Sequence, residues 1–214
     1  MCGLTFRSSL GGFISSISRR ESPSIFLNSS SIRRARLLEQ MGLRFIIVDH
    51  SISEEINAGE KADDYVLRMS KEKAIAGCQI EGVTIGADTV VVLDNVVIGK
   101  PDSFEKARET LDKLAGQEHL VLTAVSAYDG DRLESAIVKS CVRIKNLSKQ
   151  EIENYCATGE PFDKAGSYGI QGIGGIFVES ISGSYSGIVG LPIKQTEELL
   201  LSFEIDTWRY RVNR

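Results

Sequence analysis

The run from Val83 to Leu93 constrains the fold more than any other part of the sequence. It is apolar and rich in β-branched residues, which predicts a largely buried strand. Asp88 nevertheless lies inside it, within Gly86-Ala87-Asp88-Thr89. A carboxylate is costly to bury alone, so Asp88 needs a cationic partner, a metal ion or an exposed strand end. Two interpretations stay open: a metal ligand or general base, and a turn or cap aspartate.

The remaining hydrophobic pattern predicts an α/β protein. Short apolar runs predict strands at 25–27, 45–48, 96–98, 119–128, 133–147 and 175–181. Helical spacing predicts helices at 33–41, 62–76, 104–114, 148–156 and 192–203, and the glycine-rich residues 159–175 predict a loop. Asp94-Asn95 predicts a hairpin turn, and Ser148 with Glu151 a capping box. Because strands and helices do not alternate strictly, we expect a mixed sheet flanked by helices.

Charge and cysteine usage disfavour several classes of protein. The 214 residues carry 25 Lys and Arg against 29 Asp and Glu, a net charge of −4, which argues against a broad nucleic-acid surface. No apolar run approaches the roughly 20 residues of a membrane-spanning helix. The two histidines and four cysteines lack the spacing of a zinc site or a disulfide framework. We therefore expect a reduced, cytoplasmic protein whose chemistry uses carboxylates, lysines, arginines and backbone amides.

The chain is predicted to have three parts. Residues 1–22 are rich in arginine and serine, with no acid before Glu21, and form an N-terminal extension. Such a segment is typical of an organelle transit peptide, of a flexible tail, or of translation from an upstream start codon. Residues 23–205 form one globular domain, and residues 206–214 a C-terminal tail.

A polar loop, Ser29-Ser30-Ser31-Ile32-Arg33-Arg34, precedes the first predicted helix. The N-terminus of a helix presents free N–H groups and about half a positive charge. With hydroxyls at Ser29 and Ser31 and guanidiniums at Arg33 and Arg34, the loop suits a phosphate group. The alternative is a serine N-cap followed by surface arginines on an amphipathic helix.

Three further charged residues lie beside predicted elements. Lys73 lies on a helix stripe where a core residue is expected, Lys100 ends a strand before a proline, and Glu54 follows another strand. Each is explained either by a role in a site or by ordinary surface exposure, since lysine readily extends its ammonium group into solvent.

The least generic segment is Asp163-Lys164-Ala165-Gly166-Ser167-Tyr168-Gly169-Ile170-Gln171-Gly172. Its glycines permit tight turns and close approach of a ligand, and the amide of Gln171 is able to read a base edge through paired hydrogen bonds. A structural Ω-like loop is the alternative.

Taken in order, these pieces resemble the Maf family of nucleoside triphosphate pyrophosphatases, also described as septum-formation inhibitors. The matching segments are 27–34, Lys73, 86–89, 99–101, 163–172, 183–185 and 190–192. The resemblance covers roughly residues 24–203. It implies a Maf- or ITPase-like fold, which is an elongated, twisted mixed sheet with helices around a nucleotide-binding cleft.

The resemblance also implies a reaction, the hydrolysis of a nucleoside triphosphate to its monophosphate and pyrophosphate. The segment 163–171 is similar to the branch that acts on dTTP and UTP, and modified pyrimidine nucleotides are further candidates. In that branch the aspartate matching Asp88 is the proton acceptor. The residues that set substrate choice match Arg33, Thr89 and Gln171.

Charge considerations agree with this reaction. A triphosphate carries about four negative charges, and phosphoryl transfer requires them to be neutralised. Arg33, Lys73 and Lys100 could supply positive charge, with Asp88 and Glu54 as the predicted ligands of Mg²⁺ or Mn²⁺.

The same resemblance sets expectations about partners and cellular role. We expect a nucleoside triphosphate as substrate, no stable nucleic-acid or membrane partner, and a homodimer. The enzyme would limit incorporation of non-standard nucleotides, with a link to arrest of cell division. Two alternatives are a non-catalytic nucleotide-binding regulator of division and a house-cleaning pyrophosphatase for ITP or XTP.

The sequence departs from the family pattern at three positions. Ile32 stands where the family usually has proline, Asn28 replaces a small residue, and Gly187 replaces an asparagine. Proline at a helix start pre-sets φ, so isoleucine there predicts a softer loop with the same reaction.

Overall fold

A mixed β-sheet forms the centre of the protein, as the pattern of strands and helices predicts. The computed structural model describes residues 24–79 and 81–211. Within them the strands are β1 (Ser24–Asn28), β2 (Ile46–Val48), β3 (Gly82–Leu93), β4 (Val96–Ile98), β5 (Glu118–Tyr128), β6 (Leu133–Ile144) and β7 (Val178–Ser182). Their order is β2-β1-β3-β5-β6-β7, with β4 paired to β3. Strand β1 is parallel to both neighbours, whereas the other pairs are antiparallel.

Helices cover this sheet: α1 (Ile32–Gln40), α2 (Ala62–Ala76), α3 (Phe104–Leu114), α4 (Lys149–Ala157), α5 (Tyr185–Val189), α6 (Ile193–Ser202) and α7 (Thr207–Tyr210). Helices α2 and α3 have the bounds predicted from the sequence. The capping box of Ser148 and Glu151 at the start of α4 is confirmed, with both reciprocal hydrogen bonds formed. The hairpin turn is also confirmed, because Asp94 and Asn95 both have positive φ, at 50° and 65°.

Strand β3 contributes residues to three apolar clusters, so it links the packing of the helices on both sides of the sheet. Ile85 packs with α1 and α6, Val91 with α3 and α4, and Val90 with α2. Asp88 lies between these positions along the strand and is 7% exposed. The predicted buried strand with an internal carboxylate is therefore confirmed.

Close packing of α2 on β3 depends on Gly86. A Cβ atom at Gly86 would lie 2.3 Å from the backbone nitrogen of Ala74 and 2.4 Å from the carbonyl oxygen of Ser70. Both contacts are to helix backbone, which has no flexible side-chain end to move aside. The glycine therefore lets α2 approach the sheet one residue away from Lys73.

Two predicted strand bounds are wrong by three residues, whereas the other strand bounds agree to within one residue. The segment predicted at 133–147 ends at Ile144, because a register irregularity at Arg143 and Ile144 diverts the chain. The strand predicted to start at residue 175 starts at Val178, because Ile173–Phe177 winds into a 3₁₀ helix. Glycine-rich sequence carries neither a strand nor a helix period, so the pattern alone does not locate this boundary.

The structure describes most of the predicted C-terminal tail but none of the predicted N-terminal extension. Residues 1–22, the predicted extension, lie outside the described residues. Two residues of the predicted tail contact the rest of the domain: Thr207 is fully buried, and Arg211 forms an ion pair with Glu197 of α6 at 3.1 Å. No helix within residues 24–79 and 81–211 has the length and apolar character needed to cross a bilayer.

Candidate functional site

A cleft of about 690 Å³ opens beside the C-terminal end of β1 and the middle of β3. The residues around it come from distant parts of the chain. All ten residues proposed from the sequence for catalysis, specificity, phosphate or metal binding line it: Ser29, Ser31, Arg33, Arg34, Glu54, Lys73, Asp88, Thr89, Lys100 and Gln171. The fold thus brings the predicted set into one place, while their individual roles stay predictions.

Three charged residues form what we call the acid–lysine cluster: Glu54, Lys73 and Asp88. The Lys73 ammonium lies 2.7 Å from Asp88 Oδ1 and 2.6 Å from Glu54 Oε1. Lys73 and Asp88 are both nearly buried, with side chains 11% and 10% exposed, whereas Glu54 is half exposed. Lysine therefore supplies the partner that a carboxylate in a buried strand requires.

Regular elements place this cluster. Asp88 and Gly86 lie on the same face of β3 because side chains alternate along a strand. Helix α2 packs on that face, and Lys73 lies in its last turn. Burial by itself raises the pKa of Glu54, but the hydrogen bond and charge of Lys73, with the charges of Lys100 and Arg34, outweigh burial and lower that pKa below its ordinary value.

The N-terminus of α1 opens into the same cleft. Ser31 occupies the N-cap position but its side chain makes no capping hydrogen bond, so the alternative of a plain serine cap is not what the structure has. Ser29 Oγ instead accepts hydrogen bonds from the Ser31 N–H at 3.1 Å and from Arg34 Nη1 at 3.4 Å. Free N–H groups of the first turn and the hydroxyls are thus available to an anion.

The two arginines that follow have different surroundings. Arg34 is half-buried, and its Nε donates to the carbonyl of Gly190 at 2.9 Å. Burial lowers the pKa of Arg34, although the nearby carboxylates of Asp88 and Glu54 act in the opposite direction. Arg33 reaches across the cleft instead, with Nη1 2.7 Å from Asp163 Oδ2. The side chains of this pair are 31% and 65% exposed, so it lies at the cleft mouth.

Thr89 and Lys100 complete the wall next to β3. The hydroxyl of Thr89 is hydrogen-bonded to that of Thr123 on β5 at 3.0 Å, and Thr123 donates to the carbonyl of Gly187 at 2.7 Å. Lys100 is exposed at the rim, close enough to Glu54 for its charge to lower the pKa of that carboxyl. Its ammonium group is thus near both the cluster and solvent.

Residues 159–175, here called the glycine loop, form the opposite wall. Gln171 is exposed and lines the cleft, whereas Tyr168 behind it is buried. The Tyr168 hydroxyl shares a hydrogen bond of 2.8 Å with Nε2 of His119 on β5. Burial lowers the pKa of His119 to about 4, although the charge of Glu118 acts in the opposite direction, so this imidazole is neutral near pH 7.

Sequence reasoning missed two carboxylates that organise the site. Asp163 belongs to a motif that gives it no role of its own, yet it pairs with Arg33. Glu160 was not singled out, although its carboxylate accepts backbone hydrogen bonds from Ile173 and Gly174. The only signal available was the position of both acids among glycines, which is too general to assign a partner.

Comparison with known proteins decides the family. A family model described as "Maf-like protein" matches residues 24–203. The chain belongs to the Maf family. The resemblance drawn from the motifs is therefore confirmed, over the span expected from them.

Curated relatives of this Maf-family chain share most of its length. A protein named dTTP/UTP pyrophosphatase from Pseudoalteromonas atlantica is 49% identical over 182 residues, covering 82% of this chain and 95% of the relative. Proteins of the same name from Vibrio parahaemolyticus and Vibrio cholerae are 48% and 47% identical, covering 86% and 84% of this chain and 99% and 97% of the relatives.

The departures from the Maf pattern have visible consequences in the structure. Ile32 is the first residue of α1 and is 69% exposed, so it packs little. Asn28 is buried, and its Nδ2 donates to the carbonyls of Lys73 at 2.8 Å and His50 at 3.1 Å. Asn28 therefore ties the end of β1 to the last turn of α2, beside the acid–lysine cluster.

Proposed function

We propose that this Maf-family chain is a nucleoside triphosphate pyrophosphatase that converts dTTP and UTP to the monophosphate and pyrophosphate. The observation that carries the proposal is the acid–lysine cluster in the same cleft as an uncapped helix N-terminus and two arginines. The names of the relatives, all dTTP/UTP pyrophosphatase, support the choice of substrates.

Phosphate binding is assigned to the start of α1. The free N–H groups of its first turn, with the hydroxyls of Ser29 and Ser31, suit the oxygens of a triphosphate. Arg34 is held by Gly190 and points its charge into the cleft from a fixed position. Lys100 and Arg33 add positive charge at the rim, since arginine grips phosphate through two N–H groups and lysine acts as a point charge.

Asp88 is the proposed proton acceptor. It would take a proton from a water molecule as the oxygen of that water bonds to the α-phosphorus. The bond between that phosphorus and the oxygen bridging to the β-phosphate breaks, and pyrophosphate leaves. The ion pair with Lys73 holds the carboxylate in one orientation for this step.

The carboxylates of the cluster also suit a divalent cation. Asp88 Oδ1 and Glu54 Oε1 both contact the Lys73 ammonium, so the second oxygen of each carboxylate is the one left to bind a cation. Within residues 24–79 and 81–211 no group of three or more His, Cys, Asp or Glu side chains is gathered for a metal. Mg²⁺ is usually held by one or two carboxylates together with phosphate oxygens and water, so two carboxylates suffice. When bound, such a cation neutralises charge on the phosphoryl oxygens.

Base selection is assigned to the other side of the cleft. Gln171 has an amide that can both donate and accept hydrogen bonds, as the edge of thymine or uracil requires. Thr89 and Arg33, the other two residues proposed to select the base, line the same cleft. A homodimer, a cytoplasmic location and a role in limiting non-standard nucleotides stay predictions.

A nucleotide panel with Mg²⁺ or Mn²⁺ tests the proposal. We expect release of pyrophosphate, not orthophosphate, from dTTP and UTP, with slower release from CTP, GTP and ATP. Preference for ITP or XTP would assign the protein to house-cleaning of deaminated purines instead. Nucleotide binding without any turnover, unchanged by Asp88→Asn, would favour a non-catalytic regulator and overturn the proposal.

A further inference from the structure

The stretch Gly169–Gly174 within the glycine loop carries Gln171 and is fastened at both ends. At its start, the Gly169 N–H donates to the hydroxyl oxygen of Tyr155 at 3.1 Å. At its end, the N–H groups of Ile173 and Gly174 donate to the two carboxylate oxygens of Glu160, at 2.8 and 3.0 Å. Gln171 therefore lies between two fixed points.

The two anchors are joined to each other. The Tyr155 hydroxyl donates to Glu160 Oε1 at 2.9 Å. Tyr155 itself is 2% exposed on α4, and its ring packs edge-to-face on Phe177 with centroids 4.9 Å apart. Tyr155 thus fixes the stretch to the hydrophobic core.

Glycines make room for this carboxylate. A Cβ atom at Gly172 would lie 2.4 Å from both oxygens of Glu160, and one at Gly174 would lie 2.6 Å from the Tyr155 hydroxyl. The backbone therefore wraps closely around the Tyr155–Glu160 pair. Burial alone would raise the pKa of Glu160, but the N–H groups of Gly174 and Ile173 and the Tyr155 hydroxyl outweigh burial and lower it.

We propose that Glu160, held by Tyr155, is a positioning residue that sets the place of Gln171 and with it the selection of the base. This inference rests on the proposed function and on the role of Gln171 in it. An ionised carboxylate accepts at both oxygens, whereas a glutamine there would present an NH₂ group to one of two N–H donors. Even this isosteric change is thus expected to release one end of the stretch.

The test compares Glu160→Gln with Glu153→Gln, which makes the same chemical change at an exposed position of α4. The readout is the ratio of kcat/KM for UTP to that for CTP, two nucleotides that differ only at one edge of the base. Since a well-placed pair of hydrogen bonds to a base discriminates by roughly 5- to 150-fold, we expect Glu160→Gln to lower the ratio about tenfold. We expect the change mainly in KM, and Glu153→Gln to leave the ratio as it is.

A double-mutant cycle separates positioning from general damage. Gln171→Ala should lower the ratio as Glu160→Gln does, and the two together should lower it no further. Tyr155→Phe removes only the hydroxyl and should lower the ratio less, which keeps the inference testable if Glu160→Gln folds poorly. Independent, additive effects, or an unchanged ratio in folded Glu160→Gln or Tyr155→Phe, would overturn it.

Failure of the proposed function gives a different result. If the wild-type chain hydrolyses neither UTP nor dTTP, the function fails, and the inference is tested by equilibrium binding of UMP and CMP to the same variants. A preference for UMP that Glu160→Gln weakens would still support positioning by Glu160. An equal preference for UMP over CMP in the wild type and in Glu160→Gln would overturn it.

Discussion

The two walls of the cleft are built in opposite ways. The acid–lysine cluster lies on regular elements, β3 and α2, and is held by ion pairs between side chains. The glycine loop has only 3₁₀ turns and is held by backbone N–H groups that converge on Glu160 and Tyr155. Under the proposed function, the first wall would fix charge for the reaction, and the second would fix the shape of the backbone around the base.

The largest effect is expected at the acid–lysine cluster, from Asp88→Asn. A positioned general base contributes about 10²- to 10⁴-fold, so kcat for dTTP should fall by that range. The amide is isosteric and the N–H groups of α1 are untouched, so KM should change little. Steady-state kinetics and a circular dichroism spectrum check both statements. Asp163→Asn, on the other wall, is the matched control and should keep kcat within about threefold, because its exposed ion pair is worth little.

The close approach of α2 to β3 gives the next largest effect. Gly86→Ala adds a Cβ that meets helix backbone at 2.3 Å, so α2 must shift with Lys73 on it. Overpacking of this kind costs about 1–3 kcal/mol of unfolding free energy, and kcat should fall as well. Urea denaturation measures the loss of unfolding free energy, and an activity assay of the folded variant measures the loss of kcat. Gly99→Ala is the control, because no atom lies within 4 Å of a Cβ added there, and equal losses in both variants would contradict this account.

Buried His119, which is hydrogen-bonded to Tyr168 of the glycine loop, predicts that the stability of the protein depends on pH. Folding lowers the pKa of this buried histidine from 6.5 to about 4, so the unfolded chain binds more protons between these values. Above about pH 6.5 this histidine leaves the unfolding free energy undiminished. As the pH falls toward 4 the unfolding free energy decreases, and the decrease reaches about 2 kcal/mol at pH 5. Denaturation of the wild type and His119→Gln at pH 7 and pH 5 checks the sign. The variant should show a smaller loss, and a wild type more stable at pH 5 would contradict the assignment.

The smallest effect is expected at the cleft mouth, where Arg33 joins the two walls. Arg33 must leave Asp163 before it can bind a phosphate, and an exposed ion pair is worth about 0.2–1 kcal/mol. Asp163→Ala should therefore lower KM for dTTP by about 1.4- to 5-fold and leave the unfolding free energy nearly unchanged. Asp112→Ala, on the exposed side of α3, is the matched control. A raised KM would instead mean that Asp163 holds Arg33 in its binding position.

Predictability from sequence also differs between the walls. The hydrophobic period located α2 to the residue, and the presence of Asp88 in a β-branched run already demanded a partner. Lys73, on a stripe otherwise apolar, was a candidate site residue, but nothing in the sequence paired it with Asp88. Glu54 was harder to place, because it lies in an irregular segment and its distance to Lys73 depends on the whole fold.

The glycine loop could be recognised from its sequence motif, but its hydrogen bonds could not be predicted from the sequence. Its motif supported the resemblance to the Maf family, yet no period predicts which N–H groups would meet the carboxylate of Glu160. The same lack of period produced the wrong start of β7. The short helices α5 and α7 were missed because five and four residues carry too little pattern. Contacts between residues distant in sequence decide these features.

The most direct test of the central claim is hydrolysis of dTTP in H₂¹⁸O, followed by mass spectrometry of both products. If water activated beside Asp88 attacks the α-phosphorus, the label appears in TMP and the pyrophosphate carries none. Wild-type protein should give this pattern, and Asp88→Asn should give little product of either kind. Label in pyrophosphate, or release of orthophosphate with dTDP, would place the attack at another phosphorus and contradict the account.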